Sequence, residues 1–141
     1  MNDSMPYHIE QLLEDALATR NKEIGQSRIL VMGYAYLEDS DDTRNSPSET
    51  LISHLHELGA NIIVHDPYIA DYQGDIFQMA HQCDAVVFMV RHKEYLDLDL
   101  VALANSMSSP IIIDGRRVFD STCFESNGLI FRQIGLGTNR I

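Results

Sequence analysis

Two kinds of hydrophobic pattern follow one another along the chain and predict strands and helices in turn. Residues 28–32 read Arg-Ile-Leu-Val-Met, a short, nearly continuous apolar run of the kind that forms a buried strand. Similar runs occupy residues 61–65, 84–90 and 110–114, and a weaker one lies at residues 128–132. Because strands that are apolar on both faces are typical of parallel sheets, these runs predict a parallel sheet covered by helices.

The stretches between these runs carry helix signals. Before the first strand, apolar residues recur at helical spacing, namely Ile9, Leu12, Leu13, Ala16 and Leu17. Residues 46–49 read Ser-Pro-Ser-Glu, which predicts a helix with a serine cap, a proline in its first turn and a capping-box glutamate. Gly59 is the expected end of that helix. Shorter helices are predicted at residues 76–81 and 99–107.

Alternating strands and helices with short connections predict the fold class. We expect an α/β fold, an open doubly wound (Rossmann-like) parallel sheet of about five strands with helices on both faces. A length of 141 residues suits one such domain. The first helix precedes the first strand, so it could pack on a part of the protein outside this chain.

Composition excludes several classes of function. The net charge of -11 repels nucleic-acid phosphates, so no nucleic-acid partner is expected. There is no apolar run of about 18 residues that would cross a membrane, and residues 1–10 lack the pattern of a secretory signal. Two cysteines make no disulfide framework. These features together predict a cytoplasmic protein that does not associate with membranes.

Metal ligands and nucleophiles are not evident. His54 and His56 lie two residues apart on a predicted helix and point in different directions, so no metal site is predicted. Cys83 comes just before a buried strand and is expected to be a core thiol. Cys123 has no cation adjacent in sequence that would activate it. We therefore predict no catalytic residue in this chain.

Basic residues gather where the predicted strands end. Five of the ten basic residues follow the strands, namely Arg44, Arg91, Lys93, Arg116 and Arg117. In doubly wound sheets ligands bind at the carboxyl ends of the strands, and arginine grips phosphate well, so an anionic ligand is expected there. The alternative is that these cations only pair with nearby acids, namely Asp41, Asp42, Asp66 and Asp114. His92 at the same edge either contacts a ligand or orients its loop.

The loop after the first strand argues against the usual dinucleotide site. It holds one glycine, Gly33, where the dinucleotide fingerprint needs three, and no phosphate-loop lysine motif is present. The fold is therefore not expected to bind NAD or ATP by itself in the usual manner.

Several motifs in order resemble a known family. Residues 32–36 read Met-Gly-Tyr-Ala-Tyr, residues 41–47 read Asp-Asp-Thr-Arg-Asn-Ser-Pro, residues 66–68 read Asp-Pro-Tyr, and residues 113–118 read Ile-Asp-Gly-Arg-Arg-Val. Together with the strand that leads from Asp-Ala-Val-Val to His92, they resemble the C-terminal domain of the UDP-glucose and GDP-mannose dehydrogenase family. The UDP-N-acetylmannosamine dehydrogenase branch is the most similar.

The resemblance implies a function and a domain organisation. Residues 1–25 would be the end of a central linker helix, and residues 26–141 a UDP-sugar-binding C-terminal domain. Complete members oxidise the C6 alcohol of a UDP-hexose to a carboxylate with two NAD, form homodimers, and serve polysaccharide biosynthesis. Their NAD domain and catalytic cysteine lie outside the matched region. The chain is therefore expected to be an inactive fragment of an NAD-dependent UDP-sugar 6-dehydrogenase.

The resemblance also implies site residues. Tyr36 and Leu37 would touch the nucleotide sugar, Arg116 would contact the UDP-sugar, and Arg44 would reach towards NAD. The family usually has lysine where Leu37 stands, and a leucine side chain forms no hydrogen bond. Glu38 and Asp39 add negative charge nearby. Two alternatives remain: a stand-alone UDP-sugar-binding or regulatory module without catalysis, and a structural dimerisation domain without a ligand.

Overall fold

The computed structural model describes residues 5–35, 38–40, 46–119 and 128–134. In these residues one sheet is built from five strands, β1 (Arg28–Met32), β2 (Asn61–His65), β3 (Ala85–Phe88), β4 (Ile111–Asp114) and β5 (Ile130–Gln133). Five helices accompany it, α1 (Met5–Ala18), α2 (Pro47–Glu57), α3 (Ile76–Ala80), α4 (Lys93–Leu96) and α5 (Leu100–Asn105).

The sheet is parallel throughout, in the order β2-β1-β3-β4-β5. The first strand, β1, lies inside the sheet, from which the chain moves outwards to β2 and then crosses back to β3 on the other side of β1. Leu30 pairs with Ile63 in β2 and with Val86 in β3, which marks this reversal. The predicted doubly wound sheet of about five strands is therefore confirmed, and it has its switch point between β1 and β3.

Alternate residues of each strand feed two cores, one on each face of the sheet. Ile29 and Val31 face α1 and α2, whereas Leu30 and Met32 face α3, α4 and α5. Each of these four side chains is fully buried. This two-sided burial explains why the strands read as continuous apolar runs rather than as alternating ones.

The first helix packs on the sheet itself. Its stripe of Ile9, Leu13 and Leu17 is fully buried and belongs to the core that includes Ile111 and Ile113 of β4. The apolar stripe therefore needs no further part of the protein to cover it. Because the stripe is long enough to cover the sheet next to α2, it completes one face of this domain.

Most boundaries agree with the sequence patterns, and the exceptions are short. The predicted strand 84–90 is shorter, since β3 ends at Phe88, and the predicted helix 99–107 is α5 with Asp99 as its N-cap. Helix α4 was not predicted, because four residues are too few to show helical periodicity. The longest helix in the described part of the chain has 14 residues, so none there has the length of a membrane span.

Candidate functional site

The loops that follow β1 and β3 touch each other at the carboxyl edge of the sheet. Gly33, directly after β1, has φ of 101°, and a Cβ there would lie 2.7 Å from the Cβ of Val90. A side chain at this position would therefore clash as well as strain the backbone. Directly after β4, a Cβ on Gly115 would lie 3.0 Å from the carbonyl oxygen of Phe88, the last residue of β3. The glycines thus allow the ends of β1, β3 and β4 to approach one another closely.

The Asp66 carboxylate, fully buried at the end of β2, joins three loops. Its Oδ2 accepts hydrogen bonds from the backbone N–H groups of Tyr34 at 2.8 Å and Ala35 at 2.9 Å. Its Oδ1 accepts one from Tyr68 N at 2.8 Å, and His92 Nε2 lies 3.0 Å from Oδ2. Burial alone would raise the pKa of Asp66, but these four hydrogen bonds together lower it below the ordinary value of 3.8.

His92 is fully buried, and its hydrogen bonds determine its tautomer. Its Nδ1 lies 2.8 Å from the backbone nitrogen of Asp39. A backbone N–H can only donate, so Nδ1 accepts and carries no proton, and the ring proton must lie on Nε2, which donates to Asp66. His92 therefore connects the loop after β1 to the end of β2 as a neutral ring. This supports the expectation that it orients its loop.

Asp39 ties the loop after β1 to the start of α4. Its Oδ1 accepts a hydrogen bond from Lys93 N at 2.7 Å and lies 3.5 Å from the hydroxyl of Tyr68. That hydroxyl also donates to Glu94 Oε2 at 2.9 Å. Desolvation and the neighbouring Glu94 carboxylate raise the pKa of Tyr68 to about 12. The negative charge at Asp39, which the sequence left unexplained, thus has a structural function.

A second buried carboxylate, Asp114 at the end of β4, is arranged in the same way. Its Oδ1 accepts hydrogen bonds from the backbone nitrogens of Arg116 at 3.2 Å and Val118 at 3.0 Å. Its Oδ2 accepts from Phe119 N and from Gln133 Nε2, both at 2.9 Å. The donors described for Asp66 and Asp114 are therefore backbone N–H groups, a histidine and an amide, not guanidinium groups. The alternative that these acids pair with the arginines finds no support here.

Four of the five predicted edge cations lie among the described residues. Arg116 is half-buried, and its Nη1 lies 3.5 Å from the carbonyl oxygen of Met89, which is a long hydrogen bond. Arg117 is exposed, and its Nη1 donates to the carbonyl oxygen of Ile134 at 3.1 Å. Arg91 and Lys93 are also exposed. Within the described part of the chain, Arg116 keeps most of its donors available for a ligand at the carboxyl edge.

The other predicted site residues are not part of the described structure. Tyr36, Leu37 and Arg44 lie outside the described residues, and so does Cys123. Cys83 is a buried free thiol whose pKa is raised by burial to about 11, as expected of a core thiol. No group of three or more metal-ligating side chains occurs in the ranges that the structure describes.

A second buried histidine was missed by the sequence patterns. His65, the last residue of β2, places its Nδ1 2.9 Å from the hydroxyl of Tyr95, which in turn donates to the His65 carbonyl oxygen at 3.1 Å. Burial lowers the pKa of His65 and raises that of Tyr95. Only its place at the end of a strand, next to Asp66, marked this histidine in the sequence. Its partner lies 30 residues away.

The fold and the cationic carboxyl edge define a Rossmann-like binding domain of the doubly wound class. Residues 30–121 match the UDP-binding domain of the UDP-glucose/GDP-mannose dehydrogenase family. The chain belongs to this family, and the resemblance predicted from its motifs is confirmed.

The relatives share the whole of this domain but are much longer. The chain is 31% identical over 137 residues to UDP-N-acetyl-D-mannosamine dehydrogenase of Pyrococcus horikoshii, covering 97% of the chain and 32% of that protein. It is 26% identical over 132 residues to the UDP-glucose 6-dehydrogenase TuaD of Bacillus subtilis, covering 86% of the chain and 29% of that protein. The chain thus spans about a third of the length of these curated relatives.

Solved structures agree with this assignment. The structure of the UDP-D-ManNAc dehydrogenase from Pyrococcus horikoshii superposes with a TM-score of 0.87 at 31% identity, over 94% of this chain and 31% of that one. An NDP-N-acetyl-D-galactosaminuronic acid dehydrogenase from Methanosarcina mazei gives a TM-score of 0.87 at 32% identity, over 94% of this chain and 30% of that one. This domain therefore has the same fold as about one third of the length of each of these two enzymes.

Proposed function

We propose that this chain is the nucleotide-sugar-binding domain of an NAD-dependent UDP-sugar 6-dehydrogenase. The observation that carries the proposal is Arg116, half-buried beside the switch point in a segment of the family's UDP-binding domain, with donors that no described carboxylate occupies. The planar guanidinium fork suits a phosphate, which it binds through two hydrogen bonds. In an acidic protein such a cation is a strong attraction for an anionic ligand.

The complete enzyme would convert a UDP-hexose to a UDP-hexuronate and reduce two NAD. In this chain the loop after β1 does not suit a dinucleotide, since it has one glycine, Gly33, and the space beside that glycine is filled by Val90. NAD would therefore be bound mainly by another domain, and its role would be to accept hydride. The contribution of this chain is to bind and orient the UDP-sugar, and it provides no catalytic residue.

We assign the site by residue type and position. Tyr36, Leu37 and Arg116 would contact the UDP-sugar, and Arg44 would reach towards NAD across a cleft between domains. Leu37 offers a ligand only its backbone groups and apolar contact, so Arg116 would be the main charged contact in this domain. Residues 1–25 would continue a central helix through which the whole enzyme forms a homodimer. A buried free thiol at Cys83 suits the reducing cytoplasm in which we place the protein.

Titration of the 141-residue chain with UDP, followed by NMR, tests the proposal. Half of a cleft binds weakly because the other domain supplies further contacts, so we expect a Kd of roughly 1 mM. The Arg116→Ala variant loses a charge-assisted hydrogen bond and should bind about tenfold more weakly. The Arg20→Ala variant removes an exposed arginine just after α1, far from this edge, and should bind as the wild-type chain does.

Two results would change the proposal. If Arg116→Ala binds UDP as well as the wild-type chain does, the assigned site is wrong. A Kd of about 1 µM for the wild-type chain would favour the stand-alone UDP-sugar-binding or regulatory module instead. For the protein at its natural length, the absence of NADH formation with any UDP-hexose would contradict the dehydrogenase function.

A further inference from the structure

The loop between β1 and α2 is held at two separate places by buried side chains. Near its start, the backbone N–H groups of Tyr34 and Ala35 donate to Asp66. Further along, the backbone N–H of Asp39 donates to His92. Asp66 and His92 are fully buried and hydrogen-bonded to each other at 3.0 Å, so the two tethers form one unit.

Asp39 makes the second tether reciprocal. It donates its N–H to His92 Nδ1 and accepts the N–H of Lys93 on its own carboxylate, so two hydrogen bonds join the loop to two consecutive residues at the start of α4. Its φ of 54° lies in the left-handed region, which aspartate tolerates better than most residues. A conformation of this kind persists where surrounding contacts hold it, and here both contacts come from the same short segment.

We propose that Asp66, His92 and Asp39 are positioning residues for the nucleotide-sugar site. This inference rests on the proposed function, and it assigns the three residues no contact with the ligand. Through them, the described loop residues 34, 35 and 39 are attached to the ends of β2 and β3, at the switch point where the ligand is expected.

The position of the tethers supports this role. Tyr34 and Ala35 precede residues 36 and 37 in the chain, and Asp39 follows them, so both flanks of the proposed ligand-binding pair are attached to one buried unit. Flanking residues that are already attached lose less conformational entropy when a ligand binds between them, which increases affinity. Loss of either tether should therefore weaken ligand binding through the loop, even though the ligand never touches His92.

Two substitutions of His92 distinguish its hydrogen bond to Asp39 from its hydrogen bond to Asp66. In His92→Gln the amide Nε2 can occupy the place of the ring Nε2 and still donate to Asp66, but no acceptor remains for the N–H of Asp39. In His92→Asn the side-chain oxygen can occupy the place of Nδ1 and still accept from Asp39, but the bond to Asp66 is lost. The first variant cuts the loop tether, and the second keeps it.

The experiment is an NMR titration of each variant of the 141-residue chain with UDP, together with amide hydrogen exchange without UDP. We expect His92→Gln to exchange faster at the Asp39 amide and to bind UDP roughly threefold to tenfold more weakly, the effect of one hydrogen bond. We expect His92→Asn to keep the Asp39 amide protected and to bind UDP within about twofold of the wild-type chain, although it is less stable.

The matched control is Asp84→Asn. Asp84 is a buried carboxylate at the start of β3, on the opposite edge of the sheet, where it accepts a hydrogen bond from Arg28 N at 2.9 Å and pairs with Lys22 at 3.1 Å. Its substitution should lower stability and leave UDP affinity unchanged. A general loss of stability is thereby distinguished from a loss of positioning.

The possible outcomes separate this inference from the proposed function. If His92→Gln exposes the Asp39 amide but binds UDP as the wild-type chain does, while Arg116→Ala binds weakly, the positioning role is wrong and the UDP site stands. If His92→Asn loses affinity as much as His92→Gln does, the tether is not the cause, and the inference is also wrong. If the wild-type chain shows no UDP-dependent shifts at all, the proposed function fails and the positioning role fails with it.

Discussion

A buried carboxylate is stable only where donors surround it, and Asp66 has four among the described residues. Three are backbone N–H groups, and the fourth is the Nε2 of His92, which can donate because its Nδ1 is occupied by Asp39. All four groups donate, so both oxygens of Asp66 must accept. If an amide replaced the carboxylate, its NH₂ group would face another hydrogen-bond donor, and neither group would have an acceptor.

We predict that Asp66→Asn lowers the free energy of unfolding by about 2–4 kcal/mol. The new amide NH₂ must face either a backbone N–H or the His92 ring proton, whichever way it is turned. Asp75→Asn is the control, since that carboxylate is exposed and accepts the N–H groups of Phe77 and Gln78 at the start of α3, a role that asparagine also fills. It should change stability by about 0.5 kcal/mol or less. Urea denaturation measures both variants, and equal effects would contradict the account of Asp66.

Single residues show where sequence reasoning succeeds and where it stops. Gly33 and the Asp-Pro-Tyr motif at residues 66–68 could be placed at the carboxyl edge, because strand ends are visible in the hydrophobic pattern. Apart from Tyr68, which follows Asp66 by two residues, the partners of Asp66 and His92 could not be identified, because they lie 26 to 53 residues away in the chain. The alternative that Asp66 pairs with arginines followed from charge alone, which says nothing about which backbone groups need an acceptor.

Among the elements, α2 was predictable because its signals are local. Ser46 Oγ accepts a hydrogen bond from Ser48 N at 3.1 Å, Pro47 begins the helix, and Gly59 follows it with φ of 97°. The structure adds one contact that the capping pattern does not contain. Ser46 Oγ also donates to the Tyr34 carbonyl oxygen at 2.6 Å, so the cap connects α2 to the loop after β1. Helix α4, which has four residues, gave no comparable signal.

We predict that Ser46→Ala lowers the free energy of unfolding by about 1–2 kcal/mol, the usual effect of losing a helix cap. Because it also releases the Tyr34 carbonyl, UDP binding should weaken as well. Asp99→Ala removes the cap of α5, where Asp99 accepts from Ala102 N at 3.1 Å, and should cost about 0.5–1 kcal/mol without affecting UDP. Thermal unfolding and UDP titration of both variants provide the comparison. Equal UDP affinity in the two would show that the Ser46–Tyr34 contact does not matter for the site.

At the level of the whole molecule, the fold follows from two apolar cores and the glycines at the strand ends. The patterns therefore predicted the sheet correctly, but not the place of α1, because a helix that precedes the first strand can pack on either side of a domain boundary. With a net charge of -11, the acidic molecule also contains buried groups that respond to pH. His65 and Asp66, adjacent in sequence, both have a lowered pKa in the folded state.

We predict that stability falls as the pH falls. A group with a lowered pKa in the folded state binds protons more readily when unfolded, so acid favours unfolding. For His65 the loss begins as the pH drops below 6.5, and for Asp66 below 3.8, the respective ordinary values. In His65→Asn, the side-chain amide can still donate to Tyr95 but does not titrate. Its stability should therefore change less than that of the wild-type chain between neutral pH and about pH 5, and an unchanged slope in urea denaturation would contradict this.

The most direct test of the central claim is where UDP binds. Chemical-shift mapping of the wild-type chain with UDP should perturb the amides at the carboxyl edge, in the loop that begins at Gly33 and around Arg116. The amino edge, where Gly25, Arg28 and Gly59 line an open groove of about 550 Å³, should remain unperturbed. Shifts at the carboxyl edge that are lost in Arg116→Ala are the predicted result. Shifts confined to the amino-edge groove would contradict the account.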